Sequence, residues 1–226
     1  MNTPPGSRET RLSRELRRAE PSRRAMPRDA FELAMRKWVK GERVEVGAVA
    51  EELGVNRATV FRWVGSRELL LGEVIWQSFA AIWRDAMAAA QGVGADYAAD
   101  FTRRLMESAL ESTPLRRFIA QDPEYALRLL TSKTSTVQAR IIEAVGALLR
   151  EHAKAGHIAP ALSIEDLAYA IVRIVESCLY SDQITGRKPN IAVTCEVIRI
   201  LVAARSNAGA STVPGRKHSA RRTRKS

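Results

Sequence analysis

The side chains best suited to chemistry lie in the run from Arg57 to Val64, RATVFRWV. An arginine guanidinium pairs bidentately with a guanine edge, and a threonine offers a hydroxyl to phosphate or a methyl group to thymine. Arg57 and Arg62 are therefore assigned to base edges, and Thr59 to a phosphate or a thymine methyl. Arg43 and Arg67 flank the run and are assigned to the phosphate backbone, contacts that position a protein without specifying sequence. Asn56, Ala58, Phe61 and Trp63 complete the candidate DNA-contacting set.

Catalytic patterns are missing. Of the three histidines, His152 and His157 stand five apart, off the i, i+4 spacing that puts two metal ligands on one helix face, and His218 lies near the C-terminus. There is no G-x-S-x-G, no P-loop and no G-x-G-x-x-G. The carboxylate pairs Glu51/Glu52 and Glu165/Asp166 fall near helix starts or turns, where solvation or capping accounts for them. Cys178 and Cys195 make neither a disulfide framework nor a metal spacing. They read as buried free thiols of a reducing cytosol, with a single disulfide between them as the alternative. No cofactor, no metal and no enzymatic activity are expected.

The elements that must hold the arginine-bearing run can be read around it. Val46, Val49, Ala50 and Leu53 recur at i, i+3, i+4 and i+7, one apolar face of a short helix. Gly54 supplies a cheap left-handed stop. Asn56 caps a new helix, in which Val60 and Val64 share the inner face. Gly65 ends it and Ser66 caps the next. Two short helices joined by a glycine-containing turn form a helix-turn-helix, whose second helix lies in a DNA major groove. Upstream, Pro27 suits the first position of a helix, with Asp29 in its first turn and Phe31, Ala34, Met35 and Trp38 along one face. The three helices share a core of Phe31, Trp38, Val49, Leu53, Val60 and Val64.

The run AVAEELGVNRATVFRWVGSRELL resembles the signature of the TetR family, with Ala50, Gly54, Val55, Asn56, Thr59, Phe61, Val64, Ser66 and Arg67 on its places. The likeness covers about fifty residues. It implies a dimeric, ligand-responsive transcriptional regulator whose fourth helix carries motion from ligand domain to DNA head. Three departures matter. Members usually have a phosphate-reaching tyrosine where Phe61 stands, so Phe61 is assigned to packing as well. Arg67 replaces the usual lysine and can still neutralise a phosphate. Glu45 stands near a usual threonine, where a carboxylate caps a helix but repels a phosphate.

Charge is distributed unevenly. Of a net +11, residues 1–28 contribute 8 − 3 = +5 and residues 205–226 contribute +7, leaving 11 − 5 − 7 = −1 for the rest. A nearly neutral body with basic ends suits attraction to a polyanion through counterion release. Residues 1–26 and 206–226 read as disordered basic tails. Apolar residues make up 46% of the 226, enough for a real core. No apolar run spans a membrane and no signal core is present, so a cytoplasmic location is expected.

Past Ser66 the chain reads as all-α. A long helix follows Ser66, carrying Leu70, Val74, Phe79, Ile82 and Trp83 as far as Gly92. Helices are expected over 96–111, 114–122, 123–130, 134–155, 163–180 and 190–204. Residues 27–75 are the DNA-binding domain and residues 76–205 a helical ligand-binding and dimerisation domain. Short proline-broken helices lined with aromatics can frame an apolar cavity. Trp83, Phe101, Met106, Phe118, Tyr125 and Tyr169 are the candidate ligand residues, for a small apolar or amphipathic effector. The run RRFIAQDPEYALRLLTS is similar to a QsdR-like subgroup of TetR regulators tied to quorum-sensing lactones, which implies a lactone effector. The last two long helices carry apolar residues on more than one side, which calls for more than one packing partner. Ile171, Val175, Cys178, Ile198, Leu201 and Val202 are the candidate homodimer contacts. Two rivals stay open: a ligand-independent architectural DNA binder acting through its basic ends, and a helical enzyme.

Overall fold

The computed structural model describes residues 25–131 and 136–203. The tails expected before residue 25 and after residue 203 lie outside the described residues. Eleven helices and no strand occur among the described residues. In order they are α1 (Pro27–Val39), α2 (Val46–Glu52), α3 (Arg57–Val64), α4 (Arg67–Ala89), α5 (Ala95–Glu111), α6 (Thr113–Gln121), α7 (Pro123–Thr131), α8 (Thr136–Lys154), α9 (Ile164–Leu179), α10 (Ser181–Thr185) and α11 (Ile191–Ala203). The chain forms two compact units divided between Val74 and Ile75, inside α4.

In the first unit Pro27 opens α1, and the Asp29 carboxylate accepts the Met26 backbone N–H at 2.6 Å. Ala30, Leu33, Ala34 and Trp38 are buried, while Phe31 is only half-buried. The inward face is thus turned from the expected one, because small alanines let α1 approach its neighbours closely. Val46, Val49, Ala50 and Val60 join Ala30 and Leu33 in one cluster, with Leu53 and Val64 partly buried at its edge. Lys37 reaches from α1 to the Glu52 carboxylate of α2 at 2.8 Å. That hydrogen bond raises the lysine pKa and lowers that of the carboxyl group.

The second unit has α11 packed along α5, and α9 packed against α8 and α11. Leu167, Ala168, Ile171, Val172, Ile198 and Val202 are at the centre of its larger core. Ser163 caps α9, its hydroxyl oxygen accepting the Asp166 N–H at 3.1 Å. The glycine-rich connection before α5 runs close to the one after α8. A Cβ on Gly94 would lie 2.5 Å from the His157 carbonyl oxygen. The short helix α10 was not expected. Five residues carry no periodicity, and only Ser181 and Gly186 flag its ends.

Candidate nucleic-acid interface and regulatory half

The recognition surface is built from the turn upward. Gly54 takes φ +66°, which a residue with no Cβ adopts without steric cost. Asn56 follows in extended conformation, and its side-chain oxygen accepts the Ala58 N–H at 2.8 Å. This cap fixes the start of α3, an eight-residue helix about 12 Å long. Val60 is fully buried beneath it. Asn56, Arg57, Ala58 and Arg62 are exposed, and Thr59, Phe61 and Trp63 are half-buried. Phe61 packs against the head core, as expected, and its ring lies 5.3 Å from the Arg57 guanidinium. Arg62 donates to the Thr59 hydroxyl at 3.3 Å. A groove of about 710 Å³ separates the start of α1 from this face, lined by Met26, Pro27, Val55, Thr59, Arg62 and Trp63.

Arg43 and Arg67 differ from each other. Arg43 is well exposed and donates to Glu45 at 2.6 Å. Arg67 has a side chain only 20% exposed, and its Nε donates to the Val44 carbonyl at 2.8 Å with Glu45 at 3.4 Å. This bond ties the first residue of α4 to the loop before α2. The same contacts place two guanidiniums on Glu45, so its carboxylate is neutralised locally and its repulsion of a phosphate is blunted.

In the second unit an aromatic chain passes from Trp76 through Phe79 and Trp83 to Phe101, with centroid separations of 5.8, 5.6 and 4.7 Å. It continues through Tyr97 to His152 and His157. Arg140 closes the other end, 4.5 Å over Trp76. His152 Nδ1 is buried without a hydrogen-bond partner among the described residues. Burial and then neighbouring His157 hold the imidazole below its ordinary pKa. Asp100 accepts from Arg104, Arg103 and the Gln91 N–H, which together hold its carboxyl far below the usual range. Arg103 and Arg104 are thus both paired with Asp100.

Among the six candidate ligand residues two ring pairs form. Trp83 meets Phe101 edge-on, Phe118 meets Tyr125 edge-on at 6.1 Å, and Met106 is fully buried. Tyr169 is 55% exposed on α9. A cavity of about 180 Å³ lies elsewhere, between α5, α6, the end of α9 and α10, and none of the six lines it.

Most of the candidate dimer residues lie in or beside the core of the second unit. Ile171, Ile198 and Val202 belong to the core of the unit, Val175 and Leu201 pack against it, and Cys178 is half-buried. Their strict helical spacing marks the stripe that each helix buries within its own protomer. Val193, Val197 and Ile200, off that stripe on α11, are the exposed ones. Both cysteines are free thiols, and burial pushes that of Cys195 up to about 11.

A capped helix carrying exposed arginines, set on a three-helix head and followed by an all-helical second unit, defines a helix-turn-helix fold of the class found in transcriptional regulators. The family model described as "Tetracyclin repressor-like, C-terminal domain" matches residues 93–203. The R. erythropolis transcriptional repressor QsdR, of the TetR family, is 30% identical. That match covers 80% of this chain and 96% of QsdR with a TM-score of 0.73. The TetR family repressor AlkX from Dietzia sp. strain DQ12-45-1b, implicated in biodegradation of n-alkanes, is 20% identical, covering 80% and 95% with a TM-score of 0.54. No curated protein sequence matches the chain. The chain belongs to the TetR family of transcriptional regulators. Among the described residues no helix is long and apolar enough to cross a membrane, and no cluster of side chains could hold a metal ion.

Proposed function

We propose that this protein is a transcriptional repressor that binds a two-fold-symmetric operator as a homodimer and releases it when a small effector occupies the second unit. The observation that carries this reading is α3, a capped helix seated on Val60 that leaves Arg57 and Arg62 exposed. In this reading Arg57 and Arg62 meet base edges, while Asn56, Ala58, Thr59 and Trp63 line the contact and Arg43 serves the backbone. Similarity to QsdR, itself described as a repressor, supports the sign of regulation. Val193, Val197 and Ile200 of α11, with Tyr169 of α9, supply exposed apolar surface for a second copy. Two-fold symmetry of the protein is mirrored in a palindromic site. The effector is small and apolar or amphipathic, a lactone by the resemblance of the run 116–132. It acts through its differential affinity for the DNA-competent and DNA-incompetent states. The protein works in the cytoplasm and has no catalytic role.

Genomic footprinting of the full chain beside the double variant Arg57→Ala/Arg62→Ala, at two salt concentrations, tests the reading. A discrete palindromic site lost in the variant is expected. Diffuse binding, equal in both proteins and removed only by salt, overturns it and transfers the role to the basic ends of the chain.

A further inference from the structure

The cavity of about 180 Å³ in the second unit carries more information than its size. Its walls are apolar, formed by Leu110 of α5, Leu115 and Ile119 of α6, and Leu179 at the end of α9. Tyr180, 8% exposed, is its buried polar wall. The Tyr180 hydroxyl makes no hydrogen bond among the described residues, and burial followed by the nearby Glu176 carboxylate raises its pKa, keeping it a donor. At the mouth stand Arg116, Asp182 and Gln183. The carboxylate of Asp182 already accepts the backbone N–H of Gln183 at 2.9 Å and its side-chain amide at 3.2 Å. The Arg116 guanidinium makes no ion pair or side-chain hydrogen bond among the described residues. Arg116 therefore offers N–H donors to the site, and the Tyr180 hydroxyl can donate as well.

A hydroxyl that faces the cavity without a protein acceptor is met by water, so a ligand that brings its own acceptor replaces that hydrogen bond while its hydrocarbon leaves water, and a purely apolar ligand loses it. Volume sets the other limit. An apolar cavity of about 150 Å³ holds benzene, whereas drug-sized ligands need about 300–1,000 Å³. About six to nine non-hydrogen atoms fit here on that scale.

We infer that this cavity is a binding site for a compact apolar molecule ending in one hydrogen-bond-accepting oxygen group, a carbonyl or a carboxylate. Tyr180 receives that oxygen, the leucines and Ile119 enclose the hydrocarbon, and Arg116 favours the charged head over the neutral one. The site is separate from the aromatic chain of Trp83 and Phe101. Its use as an effector site rests on the repressor reading, and its existence as a binding site does not.

Isothermal titration of the full chain with hexanoate, 2-hexanone and dodecanoate, without DNA, tests the inference. Saturable binding of hexanoate and 2-hexanone at one site per chain is expected, with dodecanoate at least tenfold weaker. Tyr180→Phe, which removes one oxygen and keeps the ring, weakens both six-carbon probes about tenfold, the equivalent of about 1.4 kcal/mol. Arg116→Gln weakens hexanoate and spares 2-hexanone. Ala109→Phe, in a variant shown by circular dichroism to be folded, fills the cavity and abolishes both. Absence of saturable binding, equal affinity for dodecanoate, or binding that Tyr180→Phe leaves unchanged each overturns the inference. Failure of the repressor reading is seen separately, in the footprint, and leaves these titrations untouched.

Discussion

Replacing Arg62 by alanine separates reading from holding. In the free protein the guanidinium makes one exposed hydrogen bond, 3.3 Å to the Thr59 hydroxyl, so its removal changes stability by less than about 0.5 kcal/mol. On DNA a bidentate arginine–guanine pair discriminates by about 1–3 kcal/mol. A homodimer loses two such pairs, about 2–6 kcal/mol, which is about 30-fold to about 10⁴-fold in affinity. The salt slope decides whether the contact is to a base. Each lost phosphate contact flattens log K against log salt by about 0.9, hence about 2 per dimer, and a lost base contact does not. Fluorescence anisotropy from about 50 to 200 mM salt, on the operator and on a scrambled duplex, measures both. A large loss confined to the operator, at unchanged slope, is expected. Equal loss on both duplexes with a flattened slope refutes the base-edge assignment.

Other expectations follow from single contacts. Asn56→Ala removes the cap on Ala58 and costs about 1 kcal/mol in urea unfolding, whereas Asn56→Asp keeps an oxygen acceptor and most of that stability. Gly94→Ala places a methyl group 2.5 Å from the His157 carbonyl at φ +61° and ψ −122°. A loss of about 2–4 kcal/mol is expected by the same assay, and a neutral outcome removes the close approach as a constraint. The folded protein holds His152 neutral below its ordinary pKa of 6.5, so the unfolded chain binds more protons as pH falls below that value. The stability from His152 is complete above pH 6.5 and is lost as pH falls toward the lower folded value. His152→Phe should show a shallower loss between about pH 7 and 5; Glu176, with its raised pKa, gives the opposite slope in both proteins. Val197→Glu/Ile200→Glu charges the exposed stripe of α11 and should convert a dimer to monomers in analytical ultracentrifugation; a persistent dimer places the interface elsewhere.

Much of the head was readable because its signals are local. Asn56 caps α3 and Ser163 caps α9 within one residue of the expected positions, since each cap depends on a side chain and a backbone N–H two or three residues away. The long-range choices were harder. Phe31 is larger than Ala30 or Leu33, yet the smaller residues are buried, because interhelical distance rather than hydrophobicity decides which face turns in. On α9 and α11 the regular stripe was visible, but spacing does not say whether its partner is the same protomer or another. Packing of α11 along α5 assigns the stripe inward and leaves Val193, Val197 and Ile200 outside. Leu110, Ile119 and Tyr180 come together only through tertiary contact, and no spacing along the chain announces their cavity. Arg67 looked like a free cation because the carbonyl of Val44, which carries no side-chain signal, takes its donor.

The two thiols are chemically unequal, and this makes the protein its own reporter. Thiolate is the reactive form, so a thiol held at a pKa of about 11 within the core is inert at neutral pH. A maleimide applied to the folded protein therefore reaches Cys178 first, two residues from the wall of the cavity at Tyr180. Uptake of a second label at Cys195 needs α11 to part from α5. Its rate is a clock on the opening of the regulatory half, readable by mass spectrometry in the natural sequence with no cysteine added or removed.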